Sequence, residues 1–287
     1  MKILVTGARG FTGRHFLSMA VAAGHDVVAL QSNLRDKDAL DQEVQSFTPD
    51  AVVHLGAISF VGHEDAKAFY DVNVIGTMNL LQALTRLQKV PESVLLASSA
   101  NVYGNSLVSP VSEDQPPAPI NHYATSKLAM EHMARTYADK LPLFFTRPFN
   151  YTGPGQADSF VIPKLVAHFA RRAPVVELGN INVEREFNDV RFVCQSYLQL
   201  LGKLSGGDLV NICSGKPVTL KSAIDILSDI TSHQIEARVN PAFVRANEIL
   251  RLCGDPTKLE AVAGHVPLPP LADTLRWMLE QAPVVKP

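Results

Sequence analysis

Cysteine is scarce. Cys194, Cys213 and Cys253 are the only three in 287 residues, and no two form a CxxC pair. This excludes a disulfide scaffold, and an odd, scattered count fits reduced thiols packed in an interior. Long apolar runs are also missing. No stretch approaches the roughly 18 residues of a membrane span, and the apolar run in the opening "MKILVTGARG" is too short for a signal-peptide core. Nor does any block of one charge sign occur, with 26 Lys and Arg set against 28 Asp and Glu for a net charge of −2. Neither a nucleic acid nor a membrane surface is therefore expected as a partner, and the cytoplasm is the expected compartment. What is present, 46% hydrophobic and 19% charged residues, is ordinary for a folded chain of one large or two smaller domains.

The first half alternates in type. "KILVT", "HDVVAL", "AVVHLGA", "SVLLASS" and "LFFTRP" read as short, continuous apolar strands. Between them, "FTGRHFLSMAVAAG", "KDALDQEVQSF", residues 65–88 and residues 123–140 read as helices. Such strands alternating with helices predict an α/β fold, a doubly wound parallel sheet covered on both faces. The second half is less regular, with helices expected near 159–172, 190–204 and 219–231 and a strand at "DLVNIC". That mixed tail predicts a smaller domain over the carboxyl edge of the sheet, where open α/β sheets bind ligands.

"VTGARGFTG" sets Gly7, Gly10 and Gly13 between the first strand and the first helix. Gly7 permits the tight turn, Gly10 lets backbone approach a pyrophosphate, and Gly13 allows close helix–strand packing. The helix N-terminus, opening at Phe11 and Thr12, then faces the phosphates with open N–H groups. The second strand ends in "VVALQSN", where Gln31 and Ser32 are neutral. An acid at that place bonds the ribose hydroxyls of NAD. Without one, and with Arg9 in the glycine loop able to pair with a 2′-phosphate, NADP(H) is favoured. Gln31 can also bond a ribose hydroxyl, which keeps NAD(H) open.

"YATSK" places Tyr123 and Lys127 one helical turn apart, on one face. A lysine beside a tyrosine favours the phenolate, and such a tyrosine can exchange a proton with a carbonyl or alcohol. Ser99, at the end of the fourth strand, can bond the same oxygen.

At these residues the chain resembles the extended short-chain dehydrogenase/reductase family of nucleotide-sugar epimerases, dehydratases and reductases. The matching pieces are "VTGARGFTG", "PDAVVHLGA", "YDVNVIGTMNLLQA", "SSANVYG", "YATSK", "RPFNYTGPGQ" and "DLVNICSG". The resemblance implies a Rossmann-like domain over 1–150 and about 184–215, and a smaller mixed α/β domain for a nucleotide-diphosphate sugar over about 151–183 and 216–287. It implies Ser99, Tyr123 and Lys127 as catalytic residues. Asn33, Leu34, Leu55, Gly56, Ala57, Asn73, Pro148 and Phe149 would line the cofactor site, beside the glycine loop and Gln31. Ser99, Asn101 and Asn150 would meet the substrate, Arg185 would clamp the diphosphate, and Arg245 and Glu248 would serve the nucleotide end. Asp189, in "NDVRF", is expected to fix a loop and open a helix. Relatives are commonly homodimers through the helices at 65–88 and 123–140. Two departures stand out. Asn33-Leu34 replaces the usual Asp-Leu, and the short path from "VVAL" to "NLRD" drops the usual third strand and its preceding helix.

Within the family, the wording resembles the branch acting on GDP-sugars. Dehydratases carry a glutamate just before the Val-Tyr-Gly, and here that position is Asn101. An amide cannot act as a base near neutral pH. The expected reaction is therefore NAD(P)H-dependent reduction of a nucleotide 4-keto-6-deoxy sugar. A nucleotide-sugar 4-epimerase uses the same Ser/Tyr/Lys set and is the enzymatic alternative. A dinucleotide-sensing regulator on the same fold is the non-enzymatic one.

Overall fold

A computed structural model of the chain describes residues 1–243 and 249–282. Its main sheet is built from β1 (Lys2–Thr6), β2 (Asp26–Ala29), β3 (Ala51–His54), β4 (Ser93–Ala97) and β5 (Leu143–Pro148), joined by a late strand at Asp208–Ile212. Interleaved are α1 (Phe11–Ala22), α2 (Lys37–Phe47), α3 (Ala66–Tyr70), α4 (Thr77–Thr85) and α5 (His122–Arg135). Beyond β5 follow β6 (Tyr151–Thr152), α6 (Val161–Ala170), β7 (Val175–Leu178), β8 (Glu184–Arg185), β9 (Asn188–Asp189) and α7 (Val190–Leu200). The late strand of the main sheet is β10, and after it come β11 (Val218–Thr219), α8 (Leu220–Thr231), β12 (Glu236–Val239), β13 (Arg251–Leu252), α9 (Thr257–Ala263) and α10 (Leu271–Glu280).

All pairings in the six-stranded sheet are parallel, in the order β10-β5-β4-β3-β1-β2. Strand alternation divides the core. Ile3, Val5, Val53 and Leu95 face α1, α7 and α9, while Leu4, Val52, Val94 and Leu96 face α2, α4 and α5. The chain leaves β1 to one side for β2 and returns to the other side for β3, opening a crevice at their carboxyl ends, the place where such sheets take ligands. β2 is the sheet edge and runs directly into α2, so the third strand and preceding helix foreseen as lost are indeed absent from the described residues.

The helix expected over 65–88 is three pieces. A π-helical turn, Asp71–Gly76, separates α3 from α4. Within it the Asn73 amide accepts from Ile58 N at 2.9 Å and donates to Ser126 Oγ at 3.0 Å, contacts that accompany the local change of pitch. The helix expected over 123–140 ends at Arg135, where the bonding tightens to i→i+3 in Thr136, Tyr137 and Ala138. In the second half, α6, α7, α8 and β10 fall where expected. The paired short strands β6–β9, β7–β12 and β11–β8–β13 had no expectation, nor did α9 and α10. A separate apolar cluster joins α6, α8, α10 and β7 beyond the sheet's carboxyl edge. All three thiols are buried and unpaired.

Candidate active site

The crevice is a cleft of about 320 Å³ lined by Gly7, Ala8, Arg9, Gly10, Leu30, Gln31, Leu55 and Ala57. Its glycines have distinct jobs. Gly7 sits at φ +67°, and a Cβ there would lie 2.7 Å from the backbone of Leu55 and Gly56. At Gly13 a Cβ would meet the Gly7 carbonyl oxygen at 2.3 Å. Gly10 opens α1 without a side-chain cap, and no acid stands in the first turn. The first-turn N–H groups are thus left to an anion arriving from the cleft. This backbone cradle fits a dinucleotide pyrophosphate. Phe11 and Thr12 contribute through that backbone, because their side chains turn elsewhere. Phe11 stacks on Tyr151 at 5.9 Å, and Thr12 Oγ1 bonds Tyr151 Oη at 2.7 Å.

Beneath the cleft, His54 is buried between two hydroxyls. Thr77 donates its hydroxyl proton to the Asn73 carbonyl, so it accepts from His54 Nε2 at 2.8 Å. Thr6 Oγ1 accepts from Gly56 N at 2.9 Å and donates to His54 Nδ1 at 2.7 Å. Each imidazole nitrogen is matched in the neutral form. Burial, helped by the charge of Lys127, lowers its pKa to about 3. Asn73 is only 1% exposed, and its amide ties the 58 region to α5. It supports the cleft from behind. Leu34 packs under Gly56 and Gly76, its carbonyl accepting from Asn79 Nδ2 at 2.9 Å, while Asn33 Oδ1 accepts from Arg35 N at 3.0 Å.

At the end of β2 the structure corrects the expectation that no carboxylate stands there. Glu43, from α2, accepts from Gln31 N and from Ser32 N, each at 2.7 Å. The local run "VVALQSN" hides this because the acid arrives from the next helix. Arg9 Nη2 donates to the Gln31 side-chain oxygen.

β4 and α5 meet beside the cleft. Asn121 caps α5 through Ala124 N at 2.8 Å, which sets Tyr123 in the first turn. Tyr123 is 7% exposed; burial pushes its phenol up, and a hydrogen bond with the Ser99 hydroxyl draws it part-way back. Ser99 Oγ also accepts from Asn101 N at 3.2 Å and from Asn101 Nδ2 at 3.1 Å. With both lone pairs occupied, the Ser99 hydroxyl is left as a donor. Lys127 Nζ donates to the Ala97 carbonyl at 2.6 Å, and burial lowers its pKa to about 8, opposed by Glu131. The expected lowering of the tyrosine by this lysine is not what the structure shows: burial raises the phenol, and the opposing effect comes from Ser99.

Glu131 and Arg147 were not foreseen. Their side chains are 3% and 4% exposed, and they pair through bonds of 3.0 and 2.6 Å. Ser98 Oγ donates to Glu131 at 2.5 Å, and the Arg147 guanidinium lies 4.7 Å from the Tyr103 ring centre. The spacing Tyr123-Lys127-Glu131, one turn each, was the available signal. Tyr103 donates to Asn211 at 2.7 Å and is a buried packing residue.

On the other bank, Asn150 is exposed and its carbonyl accepts from Asn188 N at 3.0 Å. Pro148 is half-buried, and Phe149 is buried in a cluster with Tyr103 and Cys213, so its ring does not line the cleft. Arg185 donates to the carbonyls of Glu184 and Ile249. Asp189 caps α7, as expected, and also bonds Thr274. Glu186 gathers Asn188, Ser214 and Gly254, tying three loops together. Arg245 and Glu248 lie outside the described residues.

The family profile described as "NAD dependent epimerase/dehydratase family" matches residues 3–213. The chain belongs to that family. GDP-6-deoxy-D-talose 4-dehydrogenase of Aggregatibacter actinomycetemcomitans is 35% identical over 92% of each chain. GDP-6-deoxy-D-mannose reductase of Pseudomonas aeruginosa is 35% identical over 97% of this chain and 96% of its own. The structure of RMD from Pseudomonas aeruginosa complexed with NADPH superposes with a TM-score of 0.90 at 33% identity, covering 98% of both chains. The structure of MoeE5 in complex with UDP-glucuronic acid and NAD is also similar, with a TM-score of 0.89 at 25% identity, covering 98% of both chains. Among the described residues, no helix is long and apolar enough to cross a membrane.

Proposed function

We propose that this chain is a reductase of a GDP-linked 4-keto-6-deoxy sugar, with GDP-4-keto-6-deoxy-D-mannose as its substrate. The names of the two relatives that are 35% identical support the GDP-sugar class. The observation that carries the reaction type is the Ser99, Tyr123 and Asn101 arrangement. It sets two hydroxyls in contact with each other, with an amide and no carboxylate at the position where a dehydratase needs its base.

A reduced nicotinamide dinucleotide, when bound in the glycine-lined cleft, supplies the hydride. Tyr123 gives its phenolic proton to the C4 oxygen as the C=O π pair moves onto it. Ser99 donates a hydrogen bond to that oxygen and holds it against the phenol. Lys127, buried and cationic below about pH 8, stabilises the phenolate left behind. Arg9, bonded to Gln31 at the cleft, is the group that would attract a 2′-phosphate, with the Glu43 carboxylate behind Gln31 opposing it.

Incubation with GDP-4-keto-6-deoxy-D-mannose and NADPH or NADH tests the reading, with the dTDP analogue as comparison. The expected result is dinucleotide oxidation with the GDP substrate and an alcohol at C4. Tyr123→Phe is expected to abolish turnover and keep dinucleotide binding. Consumption of the dTDP analogue alone would refute the substrate, and undiminished turnover by Tyr123→Phe would refute the mechanism.

A further inference from the structure

We propose that Glu43 sets which dinucleotide the cleft accepts, its carboxylate holding the two backbone N–H groups at the end of β2 and opposing the 2′-phosphate of NADP(H). The inference rests on the reductase reading above and concerns the adenosine end of the same cleft.

The argument starts from topology. β2 is the sheet edge, and with no further strand beyond it the chain turns straight into α2. α2 therefore packs close to the end of β2, and Glu43 reaches back across that gap. The last sheet bond of this strand end is Leu30 N to the Val5 carbonyl, at 2.9 Å. The next two N–H groups, of Gln31 and Ser32, both point to Glu43, one to each carboxylate oxygen, at 2.7 Å. Two successive N–H groups aimed at one point form an anion-binding pair, and the chain fills it with its own anion.

This pair is part of the cleft wall. Leu30 and Gln31 line the cleft together with the glycine loop. Gln31 Nε2 donates to the Ala29 carbonyl at 2.8 Å, and its oxygen accepts from Arg9. The carboxylate is thus separated from the lining by one peptide unit. The end of the second strand is where the adenosine ribose sits in such sheets. Burial opposes the charge of Glu43, but its bonds to Ser32 and Gln31 prevail and keep the carboxyl below its usual range. A 2′-phosphate at this place meets a fixed negative charge and finds the neighbouring N–H groups taken, while the 2′-hydroxyl of NAD(H) meets neither penalty. Arg9, bonded to the Gln31 side chain, is the only one of these cleft-lining residues carrying the attracting charge.

The test is equilibrium titration of the intact protein with NADPH and with NADH by calorimetry, without sugar substrate. Glu43→Gln keeps an amide oxygen for one of the two N–H groups and removes the charge. It is expected to raise NADPH affinity relative to NADH by roughly tenfold or more, from a charge interaction at this range in a partly screened site. Arg9→Gln is expected to move the ratio the other way. A ratio unmoved by Glu43→Gln, or shifted toward NADH, overturns the inference and leaves the reductase reading standing. Failure of the unsubstituted protein to bind either dinucleotide overturns both.

Discussion

Acid should loosen this protein through one residue, His54. Its Nδ1 accepts from Thr6 and its Nε2 donates to Thr77, and both hydroxyls are committed onward, to Gly56 N and the Asn73 carbonyl. A second ring proton would face Thr6 with no lone pair to receive it without breaking one of these bonds. Burial lowers the imidazole from 6.5 to about 3, with Lys127 adding in the same direction. The unfolded chain therefore binds this proton between about pH 6.5 and 3 and the folded chain does not. Stability is whole above pH 6.5 and falls by about 1.4 kcal/mol per unit below it. From pH 6.5 to 4 the loss is about 3 kcal/mol, a large part of the roughly 5–15 kcal/mol that holds a typical domain. Urea unfolding at several pH values, followed for the natural chain and for His54→Gln, isolates the effect, since glutamine accepts and donates without titrating. The variant is expected to start less stable at pH 7 and to show a slope shallower by one proton. Parallel slopes for the two proteins would refute the argument.

The buried Glu131–Arg147 pair predicts strong non-additivity. Glu131→Leu or Arg147→Met alone leaves a buried charge unpaired and is expected to cost about 3–5 kcal/mol, whereas the double variant recovers most of it in denaturant unfolding. Additive losses would contradict the pairing. At the reacting end, Asn101→Asp replaces the amide donor with an acceptor that captures the Ser99 proton. Turnover is expected to fall on the order of a hundredfold, the usual loss of one oxyanion donor, and by less in Asn101→Ala. Equal kcat in the two variants would remove Asn101 from any role in directing Ser99.

Much of the fold was legible because the apolar strands of the first half are continuous and closely punctuated. β1, α1, α2, β4 and β5 fall where the pattern put them, since a parallel strand buried on both faces has little freedom in composition. The π-helical turn at Asp71–Gly76 was not legible. It goes with tertiary bonds from Asn73 to Ile58 and Ser126, which local periodicity does not report. The two-residue strands of the second half are too short to carry a period. At the site, Gly7, Gly10, Gly13, Ser99, Tyr123 and Lys127 came from spacing; Gly7 and Gly10 stand in the cleft wall, Ser99 bonds Tyr123, and Lys127 bonds the end of β4. Glu43 and Arg147 did not come from spacing, because each reaches its partner from a different element. An acid absent from the strand end is not absent from the site, because the edge position of β2 lets α2 supply it.

Several polar residues expected to meet ligand are also bonded to neighbouring residues of the chain. Asn73 clamps the cleft wall, and Arg185 is tied to two backbone carbonyls. Asn101 occupies the lone pairs of Ser99. Asn101 thereby leaves Ser99 able only to donate. A hydroxyl whose lone pairs are filled can meet an incoming oxygen only by donating, so turning its proton away from Tyr123 is the one adjustment it needs when charge develops there. The same logic explains why the absent glutamate matters. A carboxylate at position 101 would accept from Ser99 and turn its proton away from Tyr123, so in the reductase reading the amide that removes a dehydration base is also what keeps Ser99 a donor.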